Sequence, residues 1–341
     1  MDLIKKDYKE FTQKSWDQIL QNIAPRAYTH EYDLVGFYCS FDAVQNLSFM
    51  LFNEGEACAI IVLGIYKNNL TFSATPCPIP LISSKYNEST KRKIANEIIK
   101  YVVEIASKFS AQDCFFNAHP CAYVSRDVVT SKDTFLFQYF FSEVRIVNRL
   151  MFNFSLINDN TETISLASKY HKRNINRSIK KGIKLKVFDA SSDKDETKNT
   201  FNLMIKAHVN SAGCHTRNIE TWEWMLKRIY HNESNLFVAF TENDVPISFL
   251  YVGHSFMLKS AWGWTQVNID EYEKYWMPRH FLEYSAIDFY RKNSFVFYDL
   301  GIYSVDSDDR KLSNISSFKQ KFGSESYVQI NLSKLAKNNI L

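Results

Sequence analysis

The chain has 341 residues, a formal net charge of +4 and 45% hydrophobic residues. A chain of this length is too long for one ordinary hydrophobic core, so we expect two domains. The small net charge excludes a histone-like polycation, and any contact with a nucleic acid must therefore come from a local patch. Basic and acidic residues balance up to Ile157, so the whole positive excess lies beyond that residue.

The N-terminal stretch MDLIKKDYKEFTQKSW lacks the apolar segment of a signal peptide. No later stretch approaches the roughly 20 uninterrupted apolar residues of a membrane-spanning helix. We therefore expect a soluble, cytoplasmic protein without a membrane span.

The six cysteines form no C-x-x-C pair and are typical of reduced core residues. Cys114, His119 and Cys121 lie close together in the sequence, but no second ligand pair accompanies them. We therefore predict no metal and no bound cofactor.

In the first half, helical spacing of apolar residues predicts a helix from Tyr8 to Ile23 and another from Glu88 to Phe109, capped by Ser89 or Thr90. Short apolar runs predict strands at LVGFYC, LSFMLF, ACAIIVLGIY, CFFNA and RIVNRLMFNFSL. These elements favour the α+β class. The polar segment INDNTET, from Ile157 to Thr163, resembles a linker and predicts domains at 1–157 and 158–341.

The second half repeats this order in outline, from a basic helix to a closing strand. The predicted elements are the strand KLKVFDA, helices around FNLMIKAHV and from Glu220 to Tyr230, a hairpin of NLFVAFTE and VPISFLYVG, the strand KSAWGWT, a helix from Pro278 to Arg291, and the strand FVFYDLG. The order suggests duplicated architecture, although no repeat is visible at the level of residues.

Residues 165–187 contain eight Lys and Arg side chains and no acidic residue. On a helix, one face would carry Lys169, Lys172, Arg173, Arg177 and Lys180, with Ile175 and Ile179 on the opposite side. Phosphate groups are natural partners for such a face. A solvated face with no ligand is the alternative interpretation.

Two further segments could carry chemistry. Asp299 ends a buried strand and is followed by Leu300 and a glycine, so its carboxylate could orient a ligand or cap the turn. Lys319 lies between Phe318 and Phe322, where a cation in a partly apolar setting could stabilise a developing oxyanion. The alternative is an amphipathic turn whose lysine extends to solvent.

Weaker signals come from polar and aromatic clusters. A loop carrying His208 and Arg217 could bind an anion or a sugar, and the aromatic segments WGWT and YWMPRH, with Trp264 and His280, suit a sugar or nucleotide surface as well as a core. No phosphate-binding loop motif occurs in the sequence.

Four segments in order resemble the FemABX family of non-ribosomal aminoacyl transferases, which are built from two domains of the GCN5-related acyltransferase (GNAT) fold. They are SKYHKRNINRSIKKGIK, LFVAFTENDVPISFL, WMPRHFLEYSAIDFYRKNSFVFYDLGI and ISSFKQKFG. The resemblance extends from Ser168 onward, whereas the N-terminal half matches only in coarse element order.

The resemblance implies two tandem GNAT-like domains, each a mixed, mainly antiparallel sheet flanked by helices, with the donor site in the second. It also implies an N-acyltransferase that moves an acyl or aminoacyl group to an amine of a cell-envelope precursor or a sugar. The family's Phe-Lys pair, which positions the donor and stabilises charge on the carbonyl, matches Phe318 and Lys319. Asp299, Leu300 and Gly301 match a family pattern that ends in two glycines, but Ile302 stands here in place of the second glycine. Because of this departure, the resemblance does not specify the acceptor pocket.

The donor is either aminoacyl-tRNA or acyl-CoA. The glycine-rich pyrophosphate loop of coenzyme A-dependent members is absent from YEKYWMPRHFLEY, which argues against ordinary acetyl-CoA use. The coiled-coil arm of several tRNA-dependent members is also absent, but some members lack it.

The sequence therefore predicts three groups of site residues. Catalytic candidates are Lys319, with Asp299 and His280 as possible bases; donor-binding candidates are Lys172, Arg173, Arg177, Lys180 and Phe318; acceptor-binding candidates are His208, Arg217 and Trp264. The competing hypotheses are a non-catalytic RNA-binding module and a structural partner protein.

Overall fold

The computed structural model describes residues 2–23, 28–73, 75–119, 136–269, 271–272, 276–304 and 309–335. The chain divides into two compact units, the first formed by Met1–Val147 with Val328–Leu341 and the second by Asn148–Tyr327. The predicted boundary after Ile157 lies inside the second unit.

Within its described residues, the first unit combines short strands with longer helices. Its elements are β1 (Leu3–Asp7), α1 (Gln13–Asn22), α2 (Tyr32–Ser40), β2 (Gln45–Asn46), β3 (Phe49–Asn53), β4 (Glu56–Ile61), β5 (Gly64–Tyr66), β6 (Asn69–Leu70), β7 (Cys77–Pro78), β8 (Leu81–Ile82), α3 (Glu88–Lys108) and β9 (Asp113–Ala118). An antiparallel sheet in the order β1-β3-β4-β8 forms one layer. Helix α3 packs against β4 and β8 with its apolar face.

Three local predictions for this unit are wrong. The segment LVGFYC is helical, as part of α2, because an apolar run this short does not distinguish a buried strand from a buried helix. Helix α1 begins only after Thr12, whose hydroxyl accepts a hydrogen bond from Ser15 N. Helix α3 is capped by Asn87, whose side chain accepts from Thr90 N, and not by Ser89 or Thr90.

Among the described residues, no helix has the length and apolarity needed to cross a membrane. Within the same ranges, no group of three or more His, Cys, Asp or Glu side chains could hold a metal ion. Of the cluster noted in the sequence, Cys114 is a buried free thiol and Cys121 lies outside the described residues.

The second unit combines strands and helices in a mixed order. Its elements are β10 (Phe141–Asn153, from Asn148 onward), α4 (Thr163–Leu166), α5 (Lys169–Lys180), β11 (Lys184–Phe188), α6 (Lys194–Ala212), α7 (Ile219–Tyr230), β12 (Ser234–Phe240), β13 (Pro246–Ser255), β14 (Ser260–Asn268), α8 (Pro278–Lys292), β15 (Phe297–Tyr303), α9 (Arg310–Gln320) and the start of β16 (Glu325–Leu335). The sheet order is β11-β12-β13-β14-β15-β10. All neighbouring pairs are antiparallel except β14 and β15, which are parallel.

The core of the second unit lies between this sheet and α8, which packs against β12, β13 and β14. Helix α5 packs in turn on α8 and buries His171, Asn174, Ile175 and Ser178, which recur at helical spacing. Ile179, predicted to share the buried side with Ile175, is half exposed at 50%. The prediction failed because polar side chains also belong to the buried face of α5: His171 hydrogen-bonds to Phe318 of α9 and Asn174 hydrogen-bonds to His280 of α8.

Candidate functional site

The two parallel strands β14 and β15 pair over only three residues each and then separate. The last paired residues are Trp262 and Asp299. Beyond this point β14 continues along β13, while β15 continues along β10. A pocket of about 870 Å³ occurs where they separate, and it is lined by the β14 residues 263–268 and by Leu300 of β15.

Asp299, which precedes the lining residue Leu300 in β15, is held by an ion pair. Its side chain is 1% exposed, and its Oδ2 lies 2.6 Å from Nη2 of Arg149, which is itself only 16% exposed. Oδ1 accepts a hydrogen bond of 2.7 Å from Gly301 N. The carboxylate therefore orders the backbone at Gly301 and pairs with a cation at the same time. The prediction that the strand ends at Asp299 is wrong, because β15 continues to Tyr303 along β10.

Gly301 has a φ of +96°, which favours glycine. The strand register shifts here: Leu150 faces Gly301 and Met151 faces Asp299, so Leu300 is an additional residue with no partner on β10. Such a bulge bends a strand and redirects its side chains. Leu300 consequently lines the pocket.

Lys319 extends from α9 into the same place. The side chain is half-buried and lines the pocket, and a Cβ built on Gly301 would lie 3.2 Å from its Nζ. Burial lowers the pKa of the Lys319 ammonium, whereas the charges of Glu283 and Asp299 act in the opposite direction. A cation in such a setting interacts strongly with a negative charge that develops nearby.

Glu283, on α8, is a buried carboxyl group that also lines the pocket. Its Oε1 accepts a hydrogen bond of 3.0 Å from the Tyr298 hydroxyl. Burial raises the pKa of Glu283, while the Tyr298 hydrogen bond and the charge of Lys319 lower it. Burial and the neighbouring Glu283 also raise the pKa of Tyr298.

The remaining charged side chains of the lining are mainly cationic. Arg279 lies with its guanidinium carbon 5.3 Å from the centre of the Phe318 ring, and Arg310 and Lys311 project from the first turn of α9. Glu283 is the only acidic residue among the described lining residues. The pocket is therefore suited to an anionic or electron-rich ligand.

The predicted acceptor-binding residues lie together at one side of the pocket. His208 and Trp264 line it, and Arg217 donates hydrogen bonds to His208 Nε2 (3.3 Å) and to Thr265 Oγ1 (2.9 Å). Arg217 also lies 4.8 Å from the centre of the Trp222 ring. Burial lowers the pKa of both His208 and Arg217. The positive charge of Arg217 lowers the pKa of His208 further.

His280 is not part of the described lining. It is buried against His171, with ring centres 4.6 Å apart, and accepts a hydrogen bond from Asn174 Nδ2 at 3.2 Å. Burial and the neighbouring His171 lower the pKa of His280 to about 3. His171 Nε2 in turn donates to the Phe318 carbonyl oxygen at 2.9 Å, so this pair joins α5 and α8 to the helix that carries Lys319.

The basic helix α5 exposes most of its predicted cations. Arg173, Arg177 and Lys180 are exposed and Lys172 is half-buried, and none of the four forms an ion pair with a described acidic residue. None of them belongs to the described lining of the pocket. Phe318, the other predicted donor-binding residue, does line it.

Sequence reasoning missed Arg149 and Glu283. Arg149 alternates with apolar neighbours on a strand and was indistinguishable from an outward-facing residue. Glu283 had a detectable signal, because Glu283, Ala286, Ile287 and Tyr290 form one helical stripe that is apolar apart from the glutamate. A carboxyl group on the buried face of a helix indicates a paired or functional group.

No protein family matches the sequence, and no curated protein matches it. Solved structures are nevertheless similar over nearly the whole chain. The crystal structure of FemX has a TM-score of 0.68 at 11% identity and covers 97% of each chain. The C-terminal domain of a putative lysylphosphatidylglycerol synthetase from Agrobacterium fabrum has a TM-score of 0.61 at 11% identity, covering 96% of this chain and 92% of that one.

A third similar structure is a tandem GNAT protein from the clavulanic acid biosynthesis pathway, with a TM-score of 0.58 at 9% identity and 98% of each chain covered. These likenesses show the fold. The chain has a FemX-like fold of tandem GNAT-like units, and the predicted α+β fold class is confirmed.

Proposed function

We propose that this protein is an N-acyltransferase that moves an acyl or aminoacyl group from an activated donor to an amine. The observation that carries the proposal is the position of Lys319, a half-buried cation in a pocket of about 870 Å³ at the point where β14 and β15 separate. The FemX-like fold supports it, since FemX, the lysylphosphatidylglycerol synthetase domain and the tandem GNAT protein share this architecture.

In the proposed reaction, an amine attacks the carbonyl carbon of an ester or thioester, and negative charge develops on the carbonyl oxygen. Lys319 stabilises that charge, and Phe318 next to it positions the donor's acyl end. Collapse of the tetrahedral intermediate forms the amide and expels the donor's alcohol or thiol. Asp299 does not reach the reacting atoms in this scheme, since its oxygens bind Arg149 and Gly301 N.

The donor is proposed to be aminoacyl-tRNA or an acyl-CoA, held by the cations of α5. Support for tRNA comes from the exposure of Arg173, Arg177 and Lys180 without described acidic partners. The acceptor is proposed to be an amine of a cell-envelope precursor or a sugar, bound near His208, Arg217 and Trp264. The clustering of these three side chains beside the pocket supports that assignment.

A transfer assay with matched donors tests the function. The protein is incubated with radiolabelled aminoacyl-tRNA or acyl-CoA and an amine such as glucosamine or a lysine-containing peptide, and product amide and released tRNA or thiol are measured together. We expect stoichiometric release and amide formation with one donor class. Tight, salt-sensitive tRNA binding with no amide product from either donor would instead support the alternative, a non-catalytic RNA-binding module.

A further inference from the structure

The geometry points to Glu283 as the group that binds the ammonium of the acceptor and removes its proton, an inference that rests on the proposed transferase function. Amines are protonated at neutral pH, and only the free amine attacks a carbonyl. The pocket therefore needs a carboxylate or a neutral base beside the oxyanion site. Within the described residues, Glu283 is the acidic side chain that lines it.

The environment of Glu283 suits a base and not a structural ion pair. Oε1 accepts the Tyr298 hydroxyl hydrogen at 3.0 Å, which orients the carboxylate, while no hydrogen bond from the described residues occupies Oε2. The residue is 6% exposed and that exposure is to the pocket. Oε2 is thus the atom available to an incoming ammonium.

Asp299 and His280, the bases predicted from the sequence, have no access to the reacting amine. His208 lines the pocket, but its Nε2 accepts from Arg217 and its Nδ1 is buried. Asp299 is 1% exposed, and both of its oxygens bind other groups. His280 is buried against His171 outside the described lining, and its Nε2 accepts from Asn174. Their positions leave Glu283 as the carboxyl group next to both the cavity and Lys319.

The proton balance is simple. The ammonium gives one proton to Glu283 Oε2, and the free amine forms the new C–N bond while the carbonyl oxygen becomes an oxyanion next to Lys319. As the C–O or C–S bond of the donor breaks, the departing oxygen or sulfur takes the second amine proton. Glu283 then releases its proton to water through the open pocket.

Several charged groups surround Glu283, and together they set the expected pH dependence. Tyr298 of β15 and Lys319 of α9 face it directly, and Arg279 precedes it by one turn of α8. Asp299 and Arg149 act indirectly, because the charge of Asp299 raises the pKa of Lys319 and the charge of Arg149 lowers it. Because burial favours the neutral carboxyl group, the rate should fall as pH falls through the pKa of Glu283, which lies above that of an ordinary glutamate.

The test compares wild type, Glu283→Gln and the control Asp288→Asn, which removes a carboxylate of the same helix that pairs with Lys292. With glucosamine as acceptor, Glu283→Gln should lower kcat about 100-fold or more and abolish the acidic limb of the pH profile, and the control should change neither. With hydroxylamine, which is a free base at pH 7, the loss should shrink to a few-fold after subtraction of the uncatalysed reaction. An equal loss with both acceptors would overturn the assignment.

Two further arms separate this inference from others. If the loss depends on the donor's α-amino group, so that an N-acetylated aminoacyl donor escapes it, Glu283 binds the donor's ammonium and the inference is wrong. Infrared difference spectra of wild type minus Glu283→Gln, recorded without substrates, should show a carboxyl band that disappears as the pH is raised. A band that persists above pH 9 would overturn the inference, and this measurement needs no turnover. The absence of turnover with every donor would separately refute the proposed function.

Discussion

The ammonium of Lys319 lies directly beside Gly301: a Cβ placed on this glycine would be 3.2 Å from Nζ. Gly301 also occupies a backbone conformation with φ +96° and donates its N–H to Asp299. Gly301 therefore adopts the backbone conformation of the bulge, binds the carboxylate of the buried ion pair and leaves space for the Lys319 ammonium. The link explains why a glycine follows Asp299 and Leu300 in this chain.

Gly301→Ala should consequently impair both stability and turnover. The positive φ costs about 1–3 kcal/mol for a residue with a Cβ, and the added methyl group displaces Nζ from its position. Gly213→Ala is the matched control, because Gly213 has φ +74° but nothing within 4 Å of a Cβ. Urea unfolding and kcat are measured for both; the control should lose stability alone, and unchanged kcat in Gly301→Ala would contradict the role given to this contact.

Asp299→Asn should destabilise the fold strongly. The substitution leaves Arg149, only 16% exposed, without its carboxylate, and breaking a buried ion pair costs about 3–5 kcal/mol. Asp244→Asn is the control, since its pair with Lys184 is exposed. The free energy of unfolding decides the matter: equal effects of the two variants would show that the Arg149–Asp299 pair has no structural role.

The buried histidines should make stability fall in mild acid. In the unfolded chain a histidine binds a proton below a pH of about 6.5, whereas burial holds the pKa of His171 to about 4 and of His280 to about 3 in the native state. As pH falls from about 6.5 towards these values, the unfolded state therefore binds more protons than the native state. The contribution of the two histidines to stability declines in this pH range and does not decline further below it.

His280→Gln should reduce this decline by at most about 1.4 kcal/mol per pH unit. Urea unfolding at pH 7, 6 and 5 measures it, with the exposed residue His215 changed to Gln as the control. A slope identical to that of the wild type would show that burial does not lower the pKa of His280.

The identity of the donor can be tested on α5. Reversing Lys172, Arg173, Arg177 and Lys180 to Glu should abolish transfer from aminoacyl-tRNA and reduce the slope of log K against log salt by roughly 3, if each cation contacts a phosphate. Reversal of the exposed Lys93 and Lys108 on α3 serves as the control. Retained transfer with a shallow salt slope in the α5 variant would favour an acyl-CoA donor.

Most elements of the second unit follow from the sequence, and the reasons are local. The boundaries of α7 and α8 follow from apolar periodicity together with caps such as Asn218, which accepts from Thr221 N. The strand β15 was also predicted, although it continues two residues beyond the predicted segment FVFYDLG. The helix α2 was missed because Leu34, Val35 and Phe37 form too short a run to show a helical period. Periodicity identifies long elements well and short buried ones poorly.

The candidate site was predictable only in part. Lys319 and Phe318 were selected through the resemblance to the FemABX family, and His208 and Trp264 through the composition of their segments; all four line one pocket. The relation between Asp299 and Arg149 was not predictable, because it joins residues 150 positions apart across a strand pair. Such contacts depend on register, which a single sequence does not specify.

The most direct test of the account is single-turnover transfer by Lys319→Ala, with the donor class that wild type uses and at saturating enzyme. Removal of an oxyanion-stabilising group should lower the chemical rate about 100- to 1,000-fold while donor affinity changes little. Lys319→Arg should recover part of the rate, and Lys292→Ala, at the end of α8, should behave as wild type. An unchanged single-turnover rate in Lys319→Ala would contradict the central claim.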